Sequence, residues 1–220
     1  MAQITWDAVG EHLYSTGVDH GVLYLYDSQT KKFTNGVAWN GLTAVNESPS
    51  GAEPTPVWAD NIKYLNLMSA EEYGFTIEAL DAPDEFDECD GSKEIATGIK
   101  IGQQDRKLFA FCYRTLKGND TEGTAHGYEI HIVYNCLASP SERNHSTVND
   151  SPENETLSWS VSTTALDTGI TGMKPTATVI LDSNVVGSAN MKKIEDILYG
   201  VTPNTVAECP LPAKILQEIQ

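Results

Sequence analysis

A chain of 220 residues with 40% hydrophobic residues has room for one sizeable β domain or two small ones. It carries 31 acidic against 14 basic residues, a formal charge of −17, which disfavours gripping DNA phosphate or anionic lipid by charge neutralisation. No window approaches the roughly 18 consecutive apolar residues of a membrane span, and the N-terminal segment lacks the basic start and apolar core of a secretory signal. The four cysteines, Cys89, Cys112, Cys136 and Cys209, are widely spaced, so reduced thiols in a cytosol-made protein are expected.

Trp6, Val9 and Leu13 recur at helix-like spacing over residues 4–14. Residues 1–20 are expected to form an N-terminal arm that docks only in an assembly, since termini are poorly ordered unless tied down. Residues 22–26 make a short apolar strand, and residues 27–35 a turn or hairpin tip. Two further apolar runs, 36–40 and 42–45, meet at Asn40-Gly41, a dipeptide suited to a tight turn.

Residues 46–60 then read as a long polar loop, with Pro49, Pro54, Pro56 and Gly51 and no helical or strand period. Apolar character returns at residues 61–68 and 75–80, where Phe75, Ile77 and Ala79 alternate. A loop too long for a hairpin and held between strands is usually functional. Nothing in this one carries chemistry, so it is expected to be a contact element.

The carboxylates Asp81, Asp84, Glu85, Asp87, Glu88 and Asp90 invite a calcium hypothesis. Phe86, however, stands where a D-x-D-x-D-G loop requires Asp. Pro83 followed by acids suits the start of a short helix.

Residues 107–116 and 127–137 are the clearest strands. Phe109, Phe111 and Tyr113 share one face of the first, and Tyr128, Ile130, Ile132, Tyr134 and Cys136 one face of the second. Each is expected to set one face on a core and one on something wetter. Residues 117–126 between them read as a polar connection. Residues 138–154 form a second long loop. Residues 156–163 place Leu157, Trp159 and Val161 against Thr156, Ser158, Ser160 and Ser162, a hydroxyl row that suits solvent or a water-filled channel. Residues 176–182 alternate as a strand. Residues 188–199 carry Met191, Ile194, Ile197 and Leu198 on one helical stripe, with Gly200 placed to end it. Residues 201–220 read as a tail that ends in a short amphipathic turn.

No catalytic signature emerges. There is no G-x-S-x-G, no phosphate loop, no G-x-G-x-x-G after a strand and no H-E-x-x-H. His126 and His131 lie close but lack an identifiable third metal ligand. The expectation is therefore a non-enzyme without cofactor or metal. Its fold is mainly β with one or two short helices: an antiparallel β-sandwich or barrel spanning residues 1–200, with a helix packed beside it.

The run AWNGLTAVNESPSGAEP, then ADNIKYLNLMSAEEYGFTIEA and PDEFDECDG, resembles the major tail protein of long-tailed bacteriophages, particularly those of Gram-positive hosts. The similarity extends over residues 6–200 and rests on its length, because no short catalytic signature is involved. It implies a structural virion protein of the tail-tube fold, made in the host cytoplasm. Such subunits form rings, expected to be hexameric, that stack into a tube through which the genome passes without specific binding. The implied partners are further copies of itself and the tape-measure, tail-terminator and tail-tip proteins, with no membrane. On that reading Asn46, Glu47, Ser48, Pro49, Glu53 and Pro54 contact the next ring, and Thr156, Ser158, Ser160 and Ser162 face the lumen. The alternative is a monomeric β-sandwich binding or decoration module of a virion, with Trp39, Trp58 and Tyr64 as an aromatic patch.

Overall fold

Alternating apolar residues punctuated by turn formers lay down about half of the described residues as antiparallel strands, with a few short helices. The computed structural model describes residues 4, 6–145, 147, 150, 155–201 and 206–219. Strands β1 (Tyr14–Asp27), β2 (Lys32–Trp39), β3 (Leu42–Glu47) and β4 (Ser50–Gly51) come first. They are followed by β5 (Pro54–Ala59), β6 (Ile62–Met68), β7 (Glu71–Glu72) and β8 (Gly74–Ala79). A 3-10 turn (Asp84–Phe86) runs into α1 (Asp87–Asp90), which ends on Gly91 at φ 84°. Next come β9 (Lys93–Ala96), β10 (Ile99–Ile101), β11 (Phe109–Asn119), β12 (Gly123–Ala138) and β13 (Leu157–Thr163). The chain closes with β14 (Thr178–Asp182), α2 (Ser183–Val186), α3 (Ser188–Tyr199), β15 (Glu208–Cys209) and α4 (Pro212–Ile219).

The main sheet runs β15-β2-β1-β11-β12-β13-β8-β3. Strand β12 is 16 residues long and serves two neighbours along one edge: residues 129–133 pair with β14 and residues 136–138 with β13. Beyond β13 the sheet folds over, and β3 comes to lie on β1. Gly21 permits that approach, since a Cβ there would sit 2.5 Å from Leu42 Cδ1.

The central parts of β1, β11 and β12 are consequently buried on both faces, where one wet face was expected of β11 and β12. Leu23, Phe109, Phe111, Tyr113 and Val133 turn inward onto Phe75, Ile77, Trp159 and Val161 of the folded-over strands. Trp39 sits among them 2% exposed, its ring 4.6 Å from Phe86 and 5.5 Å from both Phe111 and Trp159. Its indole N–H donates to the Asp81 carbonyl at 2.9 Å. The opposite face carries Tyr24, Ala110, Cys112, Ile130, Ile132 and Tyr134, covered by Met191, Ile194 and Leu198 of α3 and Ile215 of α4. Buried hydroxyls tie this layer down: Tyr24 donates to the Leu198 carbonyl at 2.7 Å and Tyr134 to that of Pro210 at 2.8 Å.

Several expectations change. Residues 6–14 form no helix; the arm is anchored on the β11–β12 turn, where Gly10 N–H donates to Asp120 at 2.9 Å. Residues 117–126 are largely strand. Asn40-Gly41 joins β2 to β3 without pairing them, because β2 bonds to β1 and β15 while β3 bonds to β8. Cys136 leaves the face of Tyr134 for the other core: Asn135 at φ 48° makes a bulge, and the extra residue inverts the alternation. The C-terminal segment is no loose tail, since Cys209 and Ile215 are buried in the helix-covered core. All four cysteines are free and buried, and burial pushes the Cys89 thiol up to about 12.

Trp39→Ala removes the side chain on which the inner core converges. It is expected to cost about 4 kcal/mol of stability, read as a lowered urea midpoint with an unchanged slope.

Candidate functional site

Residues 46–60, expected to be a loop, instead form the rising half of a long antiparallel arm. Strands β3 and β8 make its root, β4 and β7 a short middle, and β5 and β6 its outer ribbon. Gly51, at φ 81°, is required in the middle, where a Cβ would meet the Ala70 carbonyl oxygen at 2.4 Å. Asp60 and Asn61, at φ 51° and 62°, make the two-residue tip, the left-handed pair that a hairpin turn of this length demands.

The outer ribbon bonds to no other strand among the described residues. On β6 every residue is exposed. Trp58, Tyr64 and Met68 are 66%, 65% and 71% exposed. Cross-strand register puts Val57, Leu65 and Leu67 on one face of the ribbon and Pro54, Pro56 and Met68 on the other. Both faces therefore carry apolar residues, and apart from the half-buried Val57 these are exposed among the described residues. A two-stranded ribbon standing alone in water is marginal at best, and an uncovered apolar surface of this kind marks a contact.

The residues first singled out for contact divide between root and arm. Asn46 donates to Glu78 at 3.0 Å, and Ser48 N–H donates to the Gly74 carbonyl at 2.8 Å, so both serve the root. Pro49 and Glu53 are exposed at the joints, and Pro54 opens β5 opposite Met68. Trp58, Tyr64, Leu65, Leu67 and Met68, the large exposed side chains of the ribbon, were not among them. Their signal was the run IKYLNLM directly after Asp60-Asn61.

Glu47 connects the root to the inner core. It accepts the Tyr113 hydroxyl at 2.7 Å and lies 3.5 Å from His131 Nδ1. His131 is 8% exposed, stacks on Tyr113 at 4.6 Å, and meets Thr115 Oγ1 through Nε2 at 3.0 Å. Its Nδ1 has no hydrogen-bond partner. Burial pulls the imidazole below the ordinary histidine range, against Glu47 and Glu129, which favour its charged form. Burial and the Glu47 carboxylate likewise push the Tyr113 hydroxyl far above its ordinary value.

Ser160 and Ser162 are exposed on β13, Ser158 is half-buried, and Thr156 is exposed just before the strand. Ser158 and Ser160 stand opposite Glu78 and Thr76 of β8, giving a small-residue polar face over the inner core. All three arginines are held by this chain's own oxygens. Arg114 donates twice to Asp19 at 2.8 Å, Arg143 binds Asp90, and Arg106 binds the Asp90 and Ala138 carbonyls. Lys117 is shared by Glu129 and Asp182, and Lys100 by Asp84 and Asp87. The acidic cluster at residues 81–91 is thus partly neutralised from within. No helix among the described residues is long and apolar enough to cross a membrane.

No protein-family model matches this chain, and no curated protein does.

A base whose pKa is depressed by folding binds its proton less readily in the native state than in the unfolded one. The His131 contribution is therefore intact above the unfolded value of about 6.5 and drains as pH falls toward the native value. Between about pH 7.5 and about pH 5.5 the unfolding free energy should fall, with a slope of up to about 1.4 kcal/mol per pH unit. His131→Gln should flatten that slope in urea titrations at each pH.

Proposed function

We propose that this chain is a structural subunit that self-assembles into stacked rings, the tail tube of a long-tailed bacteriophage, through which genomic DNA passes. Copies close a ring, expected to hold six, and the arm formed by residues 42–79 bridges to the next. The observation that carries this reading is the outer ribbon of the arm, apolar on both faces and paired with no other strand among the described residues. An isolated ribbon gains its stability from what it docks on.

Three further features support it. The main sheet offers open edges at β14 on one side and at β2 with the short β15 on the other, the arrangement that lets neighbouring sheets join around a ring. The net charge of −17 and the internal commitment of every arginine leave little to hold phosphates, as a conduit for DNA requires. The hydroxyl face of Ser158, Ser160 and Ser162, with Thr156 beside it, supplies a polar wall without cations. In this reading the subunit resides in the virion, is assembled in the host cytoplasm, and meets the tape-measure, tail-terminator and tail-tip proteins at the ends and interior of the tube. The fold is then of the tail-tube β-sandwich type.

A monomeric binding or decoration module is less well supported. Its aromatic patch does not assemble, because Trp39 is buried in the core while Trp58 and Tyr64 stand on the arm.

Sedimentation velocity across a concentration series tests the proposal. The wild-type protein should pass from monomer to assemblies much larger than a dimer. The double variant Trp58→Ser, Leu67→Ser should stay monomeric with a urea midpoint shifted by no more than about 0.5 kcal/mol in stability terms, because both side chains are exposed. A wild-type chain that stays monomeric throughout, or a variant that assembles as well as wild type, would contradict it.

A further inference from the structure

The two edges of the outer ribbon are not equivalent. In an antiparallel ribbon, residues directly opposite each other point their N–H groups the same way, both toward the partner strand or both away. Proline has no N–H to give to a ladder, so it is tolerated only where that position faces outward. Pro54 stands opposite Met68 and Pro56 opposite Asn66. The outward positions of β5 at 54 and 56 therefore offer no donors, and the edge is closed to another strand. On β6 the partners Asn66 and Met68 direct their N–H groups outward from a seven-residue strand that contains no proline. One edge of the ribbon is blocked and the other is open.

We infer that the free edge of β6 is where a second copy of this chain adds an edge strand, so that the arm docks by main-chain pairing as well as by its apolar faces. The inference rests on the tube reading and deepens it by naming the pairing edge. The occupant is a second copy because this chain itself supplies matching strand edges without a further partner among the described residues, at β14 and at β2 with β15. Lys63 is the sole charged residue of β6 and makes no ion pair among the described residues. An added strand therefore meets a single charge along the whole edge. Exposed strand edges are normally protected against such pairing by proline or inward charge. Here the protection is applied to β5 alone, which leaves a directional contact: each arm gives one edge and receives none on the other.

The test replaces an outward donor without disturbing the ribbon. Asn66→Pro mirrors Pro56 across the ladder and removes only an outward N–H. Asn66→Thr keeps the N–H and serves as the side-chain control. Sedimentation and hydrogen exchange are measured together on the full-length protein. Removal of the donor and the pairing it anchors should raise the concentration needed for assembly by about tenfold or more, while Asn66→Thr stays near wild type. In the wild-type assembly the amides of residues 66 and 68 should be protected, and in the monomer they should exchange freely.

Assembly that survives Asn66→Pro, or that leaves these amides unprotected, would overturn the edge assignment and leave the tube reading standing. Equal loss in Asn66→Thr would also overturn it, by showing that the side chain and not the main chain makes the contact. A wild-type protein that never associates would overturn both. Closed dimers abolished by Asn66→Pro would support the edge and contradict the tube.

Discussion

Everything in this fold follows from the burial of β1, β11 and β12 on both faces. A β-strand with alternating residues needs one cover; a strand such as β11, where Phe109 through Tyr113 are all buried, needs two. The chain meets that demand by spending its remaining elements. Strands β13, β8 and β3 fold over to make the inner cover, and α3 with α4 makes the outer one. Trp39 is the hinge of the first arrangement, since it touches the central sheet, the folded-over strands and the 3-10 turn together. The hydroxyls of Tyr24 and Tyr134 fix the second by satisfying carbonyls at the end of α3 and ahead of α4.

With those elements committed, no strand or helix among the described residues is left to cover the outer ribbon of the arm. Its apolar residues are therefore exposed because no layer remains for them, and the same architecture roots them firmly. The β3–β8 pair lies within the main sheet, and Glu47 reaches from the end of β3 to the Tyr113 hydroxyl in the inner core. The arm thus has its root inside the main sheet and an outer ribbon that pairs with no other strand among the described residues. The anchored N-terminal arm repeats the pattern on a smaller scale: Asp120 holds Gly10 while Trp6 and Val9 stay exposed.

Sequence patterns found the elements that have a single buried face. The alternation of Phe75, Ile77 and Ala79 is that of β8, the stripe of Met191, Ile194 and Leu198 is that of α3, and the serine row of β13 lies on its exposed side. The patterns failed where burial is two-sided or absent. The second buried face of β11 is made of Ala110 and Cys112, whose small size gave no hint of a helix layer above them. The arm has no buried face, so its strands show no period, and its prolines read as loop punctuation although they sit at edge positions. Asn40-Gly41 offered a better local hairpin signal than Asp60-Asn61, yet pairing is decided by which strands share a core. The bulge at Asn135 is a single-residue event that inverts every side chain beyond it, and alternation carries no mark of it. The sequence reading singled out residues 46–60 as a contact loop and passed over the exposed apolar residues of β6.

The central claim is that the uncovered arm exists to join copies into an open tube. Negative-stain electron microscopy of the purified protein, incubated at high concentration, addresses it most directly. The account predicts rings and open-ended tubes of constant width, with a lumen wide enough for duplex DNA. A field of uniform single particles after long incubation, or closed dimers without a lumen, would contradict it.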